Sequence, residues 1–144
     1  MKIIQNKSLR QFIKFAIVGA SGTLVDWIFY FALTRWAHLF YLVAKTISFV
    51  VAAINNYAWN RVWTFRSTEK NITKQFLKFF VVSAVGLGFN LLIMRFVVEK
   101  LKWSDLIGLV LATAVVMIWN FLVNKFWTFK ENTKEHEQIE ANKH

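Results

Sequence analysis

Apolar residues run along this chain in four blocks of roughly 20 residues, near 15–34, 39–59, 76–98 and 105–124. A stretch of that length is long enough to cross a hydrocarbon core of about 30 Å as a helix. A water-soluble bundle would instead place polar residues on the outer face of every helix at a 3.6-residue period. Val81 to Met94 carries only Ser83 and Asn90 as polar side chains, so the pattern predicts lipid-facing helices. The expected fold is an all-α membrane protein with four transmembrane helices. The first block is too long for the core of a cleavable signal and is followed by a successor of equal length.

The same pattern repeats. Residues 11–66 superpose on 75–130 at a constant offset of 64, without insertion or deletion. Gln11-Phe12-Ile13-Lys14-Phe15 pairs with Gln75-Phe76-Leu77-Lys78-Phe79, and Asn60-Arg61-Val62-Trp63-Thr64-Phe65-Arg66 with Asn124-Lys125-Phe126-Trp127-Thr128-Phe129-Lys130. An internal repeat of this length determines architecture, because each copy is one structural unit. It predicts a single transmembrane domain over 1–130, built as two tandem two-helix repeats, followed by a polar tail at 131–144. The repeated Trp and basic residue at each helix close read either as an interface anchor or as a phosphate grip beside the amides.

Charge fixes the expected topology. Of 18 Lys and Arg residues, four lie in 1–14, five in 61–78 and four in 125–144. Positive charge is retained on the cytoplasmic side of membranes, so both termini and the central linker are expected there, and the two repeats then insert in parallel orientation. A net charge of +10 placed in this way points to a membrane surface and to no nucleic acid. The alternating basic and apolar residues of 1–14 fit either a short interfacial helix or a charged end that sets topology. The absence of cysteine excludes disulfides and thiolate metal sites, and neither a cofactor nor a metal is expected.

Two ionisable residues fall inside the first repeat. Asp26 lies about 18 Å along its helix from Lys14, and Lys45 sits at a similar depth on the following antiparallel helix. A charge at such a depth is costly unless paired or wetted, so an Asp26–Lys45 pair is expected, the competing arrangement being a snorkelling Lys45 and a protonated Asp26. In the second repeat these positions are Asn90 and Leu109. Ala44, Ser48, Ala52, Asn56 and Asn60 recur every fourth residue, as do Gly108, Ala112, Val116, Asn120 and Asn124. That spacing predicts one face per repeat, a groove floor of small residues ending in two amides. The amides bind either the other repeat or a polar ligand. A cluster of small residues on helix 1, Gly19, Ala20 and Gly22 among them, marks a packing face. Four helices of this length enclose little volume, so a homo-oligomer is expected, with the small-residue faces of helices 1 and 2 as candidate contacts.

Four short spans, a Lys in helix 2 and an Asn-x3-Asn-Arg-x-Trp-Thr-Phe-Arg close together resemble the GtrA-like family of small bacterial inner-membrane proteins linked to glycosylation of cell-surface polymers. The resemblance covers residues 11–130. It implies translocation of a polyprenyl-phosphate-linked monosaccharide across the bacterial cytoplasmic membrane, supplying glycosyltransferases that modify O-antigen or teichoic acid. Asp26, Lys45, Asn56, Asn60, Arg61, Trp63 and Phe65 match positions the family tends to occupy, with Asn120, Asn124 and Trp127 their second-repeat equivalents; the resemblance implies roles in substrate binding for all of these except Phe65, and for Lys125, which aligns with Arg61. In some members the intramembrane basic residues lie in the second half, where Ser83 and Leu109 offer none. Two other functions fit four helices: a non-transporting membrane partner that positions a glycosyltransferase, and a small proton-coupled exporter. An enzyme is not expected, because no acid/base pair is evident.

Overall fold

The computed structural model describes residues 2–130 together with 138, 141 and 142. All regular structure among the described residues is helical. The chain divides into two compact units, 1–68 and 69–144. The tail expected over 131–144 lies outside the described residues apart from Gln138, Ala141 and Asn142.

The first unit pairs helix α1 (Lys2–Arg35) with α2 (Tyr41–Trp59). α1 is one continuous helix of 34 residues, about 51 Å long at 1.5 Å per residue. The segment 2–14 is thus an extension of the first span and not a separate surface helix. No proline interrupts the sequence, and nothing else between Lys14 and Phe15 breaks the hydrogen-bond ladder. α1 closes where His38 takes φ 52° and Leu39 N–H donates to Leu33 O at 3.0 Å, a six-residue return that ties off the last turn.

α2 passes without interruption into a wider π-helical turn, Asn60–Thr64, where Phe65 N–H donates to Asn60 O at 2.8 Å. Arg66 then adopts φ 51° and Ser67 N–H donates to Arg61 O at 2.8 Å. Phe65 folds back so that its ring meets Phe15 edge-on at 6.2 Å.

The second unit pairs α3 (Ile72–Arg95) with α4 (Asp105–Val123). Asn71 and Ser104 cap these helices by accepting from Lys74 N–H (3.0 Å) and Ile107 N–H (3.3 Å), as short polar side chains do at helix starts. α3 continues through a π-turn at Phe96–Lys100, and α4 through another at Asn124–Thr128. Phe79 and Phe129 meet edge-on at 6.4 Å, at the positions equivalent to Phe15 and Phe65.

Within each unit the every-fourth-residue stripe is the seam between the two helices, not the floor of an open groove. Ala44 and Ser48 are wholly enclosed, as is Ala112, and Gly108 is buried. Small side chains let backbones approach and gain dispersion contacts, the main source of helix association in lipid. The outer faces carry large exposed apolar residues, among them Leu24, Trp27, Ile28, Leu91 and Leu92. Three helical stretches among the described residues, Asn6–Arg35, Ile72–Lys100 and Ile107–Thr128, are long and apolar enough to cross a membrane. α2 lowers its own apolarity with Lys45, Asn55 and Asn56, the residues that make it interesting.

Candidate functional site

In the first unit the structure brings Asp26 and Lys45 together. Lys45 Nζ pairs with Asp26 Oδ2 across α1 and α2. Ser48, one turn further along α2 and wholly enclosed, donates its hydroxyl to the other carboxylate oxygen at 2.7 Å. Both oxygens of Asp26 are therefore engaged, and its side chain is 15% exposed against 53% for Lys45. The ammonium also lies 5.9 Å from the centre of the Tyr30 ring, within range of its electron-rich face. An ammonium has three donors; the largely enclosed carboxylate takes one of them, while more than half of the lysine side chain remains accessible. That geometry suits an incoming oxyanion. The equivalent positions in the second unit, Asn90, Leu109 and Ala112, carry no charge and no hydroxyl.

Lower on α2, about 16 Å from Lys45 by helical rise, Asn56 packs on Gly22 of α1. A Cβ built on Gly22 would stand 2.0 Å from Asn56 Oδ1, and one on Gly86 would stand 2.7 Å from Asn120 Oδ1. Each amide thus occupies the space a side chain would take on the facing helix. Asn56 Oδ1 and Asn120 Oδ1 are buried without a hydrogen-bond partner.

The two units differ at the π-turn. In the second, Thr128 Oγ1 donates to Asn124 Oδ1 at 2.8 Å and Asn124 Nδ2 donates to Asn120 O at 2.8 Å, so the enclosed Asn124 is bonded on both sides. In the first, the equivalent Asn60 Oδ1 and Thr64 Oγ1 have no partner, although Asn60 is 1% exposed. Asn55 adds a third difference. Its Nδ2 is buried and unpaired, whereas Trp119 at the matching position donates Nε1 to Val82 O at 3.4 Å and meets Phe89 perpendicularly at 4.9 Å. An unmatched buried polar atom costs about 1–3 kcal/mol, and among the described residues the first unit holds four of them, the second one.

The remaining expected residues lie at the helix ends. Arg61 is half-buried in the first π-turn. Trp63 is partly exposed, with Lys14 Nζ 5.0 Å from its ring and donating to its carbonyl oxygen at 3.4 Å. Lys125 Nζ lies 5.6 Å from the Phe121 ring and 5.4 Å from that of Phe126, and Lys78 Nζ lies 5.6 Å from Trp127. The anticipated set is therefore divided: a charged cluster around Asp26 and Lys45, a separate column of amides, and cation–ring pairs at the ends. Ser48, Asn55 and Thr64 join it from the structure. The signal for Ser48 was present in its three-residue spacing from Lys45, which puts both on one face. No group of three or more His, Asp or Glu residues among the described residues is arranged to hold a metal ion.

Relatives of known name bear on this arrangement. The chain is 31% identical over 127 residues to the uncharacterized membrane protein YngA of Bacillus subtilis, covering 88% of this chain and 84% of that one. It is 30% identical over 116 residues to a dolichol-phosphate mannosyltransferase of Pyrococcus furiosus, covering 75% of this chain but only 32% of the relative. It is 22% identical over 123 residues to the bactoprenol-linked glucose translocase of Shigella phage SfII, covering 85% and 98%. The model of the GtrA/DPMS transmembrane domain matches residues 14–129. With its long apolar helices and charges held between them, the chain is a multi-pass membrane protein that belongs to the GtrA/DPMS transmembrane domain family.

Proposed function

We propose that this protein moves a polyprenyl-phosphate-linked monosaccharide across the bacterial cytoplasmic membrane for glycosylation of a cell-surface polymer, O-antigen or teichoic acid. The observation that carries the reading is the Lys45 ammonium, half exposed on a helix flank and anchored by Asp26 and Ser48. Placing charge among apolar helices is costly, and the second unit does without it. The similarity to a translocase named for bactoprenol-linked glucose supports the same reading.

The substrate has an apolar tail that stays in the bilayer and a charged, hydroxyl-rich head that cannot. In this proposal Arg61 and Lys125 meet the phosphate on the cytoplasmic side, with Trp63 and Trp127 anchoring the helix ends. The unmatched atoms of Asn55, Asn56, Asn60 and Thr64 take sugar hydroxyls, and Lys45 receives the phosphate further out. Asn120 and Asn124 then serve the fold of the second unit more than the substrate. α2 is the fourth span, both termini are cytoplasmic, and the two tandem repeats run parallel. Transport follows the gradient set by consumption of the sugar outside, with no covalent step on the protein. Its partners are the lipid-linked sugar, membrane glycosyltransferases and further copies of this chain. Replacing Lys45 with Met at equal expression abolishes polymer glycosylation if this reading holds; unchanged glycosylation removes Lys45 from the mechanism.

A second reading has its own support. The archaeal relative is a named transferase in which the matched region makes up about a third of the length, so such a domain can accompany a glycosyltransferase. As a non-transporting partner the protein would position that enzyme. Purified protein in liposomes then moves no lipid, and substitutions at Lys45 weaken complex formation instead.

A further inference from the structure

One cleft in the second unit is not used by the proposed transport. It has a volume of about 470 Å³ and is lined by Asn71, Thr73, Lys74, Leu77, Lys78, Val81 and Trp127. The first residues of α3 supply its two cations, one turn apart on the same face. Leu77 and Val81, each at least half exposed, run along its length toward the middle of the helix, and the exposed indole of Trp127 closes one side. The cleft therefore sets two lysines, one near the start of the helix and one a turn further in, beside the apolar flanks of Leu77 and Val81, with Val81 the farthest in.

Neither ammonium has an acidic partner among the described residues. Lys78 faces the Trp127 ring at 5.6 Å, while Lys74 is exposed. Asn71 already accepts from the Lys74 N–H, so the side-chain charges, not the free amides of the helix end, are what the cleft offers. The first unit has the corresponding residues Arg10, Lys14 and Trp63, but there Lys14 lies closer to the ring and donates to the Trp63 carbonyl oxygen.

The geometry points to a binding site for an anionic glycerophospholipid, its phosphodiester held by Lys74 and Lys78 and an acyl chain lying along Leu77 and Val81 beside Trp127. Charge complementarity selects an acidic head group over a zwitterionic one, since basic pockets at the membrane surface gain from each lysine. The volume is in the range of ordinary small-ligand sites, about 300–1,000 Å³, and fits a head group with the upper part of a chain. The site's role is to fix the register of α3 in the membrane, and it does not depend on what the protein transports.

The test uses purified full-length protein, stripped of lipid in detergent and titrated with phosphatidylglycerol, phosphatidylcholine or undecaprenyl phosphate under native mass spectrometry. Wild type binds phosphatidylglycerol at least tenfold more tightly than phosphatidylcholine. At roughly fivefold per lysine, Lys74→Gln/Lys78→Gln lowers phosphatidylglycerol affinity by about 25-fold, whereas Lys74→Arg/Lys78→Arg and the distant Lys100→Gln/Lys102→Gln stay within twofold of wild type. Helicity by circular dichroism accompanies each variant, and the arginine pair keeps the test decisive should the glutamine pair unfold. Equal phosphatidylglycerol binding by wild type and the glutamine pair overturns the assignment, as does an equal loss in the Lys100/Lys102 control. A loss of undecaprenyl phosphate binding as large as that of phosphatidylglycerol also overturns it, and makes the cleft part of the carrier path.

Discussion

Converting the charged cluster of the first unit into the residues the second unit already uses separates what the ion pair does for folding from what it does for function. The perturbation is a double-mutant cycle of Asp26→Asn and Lys45→Leu, the residues found at 90 and 109. Exposed pairs contribute under about 1 kcal/mol, whereas breaking a buried pair costs about 3–5 kcal/mol. Asp26 is largely enclosed, but more than half of the Lys45 side chain is accessible, so the coupling falls between these limits, at about 2 kcal/mol. Lys45→Leu alone is the worse single change, because it leaves the carboxylate enclosed with only the Ser48 hydroxyl as partner. Asp26→Asn leaves an ammonium that can reach outward along its flexible stem. The double variant recovers most of the stability, since replacing a buried pair by neutral residues is often close to neutral. Reversible unfolding of purified protein in bicelles supplies the four free energies, and polymer glycosylation in cells supplies the activity. Near-normal stability with lost glycosylation is the expected outcome for the double variant. Additive single changes, with coupling inside the roughly 0.5 kcal/mol seen for independent sites, would refute the reasoning.

Other expectations follow from individual contacts. Gly22→Ala drives a methyl into Asn56 and costs about 1–3 kcal/mol as an overpacked core does, while Gly19→Ala, with open space around it, is neutral or gains up to about 1 kcal/mol; thermal unfolding in detergent distinguishes them. Thr128→Val removes the hydrogen bond to Asn124 and lowers stability by about 1 kcal/mol, whereas Thr64→Val, which takes away a buried hydroxyl without a partner, raises stability by about 1 kcal/mol and lowers glycosylation. Lys102→Gly relieves a non-glycine residue at φ 57° and stabilises by about 1 kcal/mol, read as a raised unfolding midpoint.

Much of the fold was legible because lipid imposes strong rules. Unbroken apolar length marked the helices, and the equal depths of Asp26 and Lys45 on consecutive helices pointed to the pairing that the structure forms. The stripe from Ala44 to Asn60 was visible but read as a groove floor. Small residues at four-residue spacing describe a face without saying what covers it, and here the facing helix does, through Gly22. The π-turns left no sequence signal: Asn60 and Asn124 follow ordinary helical residues. The αL closures at His38, Arg66 and Lys102 escaped notice because glycine, the usual marker of that conformation, is absent there. Nor did identical Asn and Thr residues reveal that the second unit closes the Thr128–Asn124 bond while the first leaves Asn60 and Thr64 unmatched.

The most direct measurement of the central claim is transbilayer movement of a fluorescent polyprenyl-phosphate monosaccharide in liposomes containing only this protein. Wild type is expected to expose inner-leaflet substrate to an external quencher well above the rate of empty vesicles, with Lys45→Met reduced to that background at equal incorporation. Equal rates for wild-type, Lys45→Met and protein-free vesicles would contradict transport and leave the protein as a partner of a glycosyltransferase.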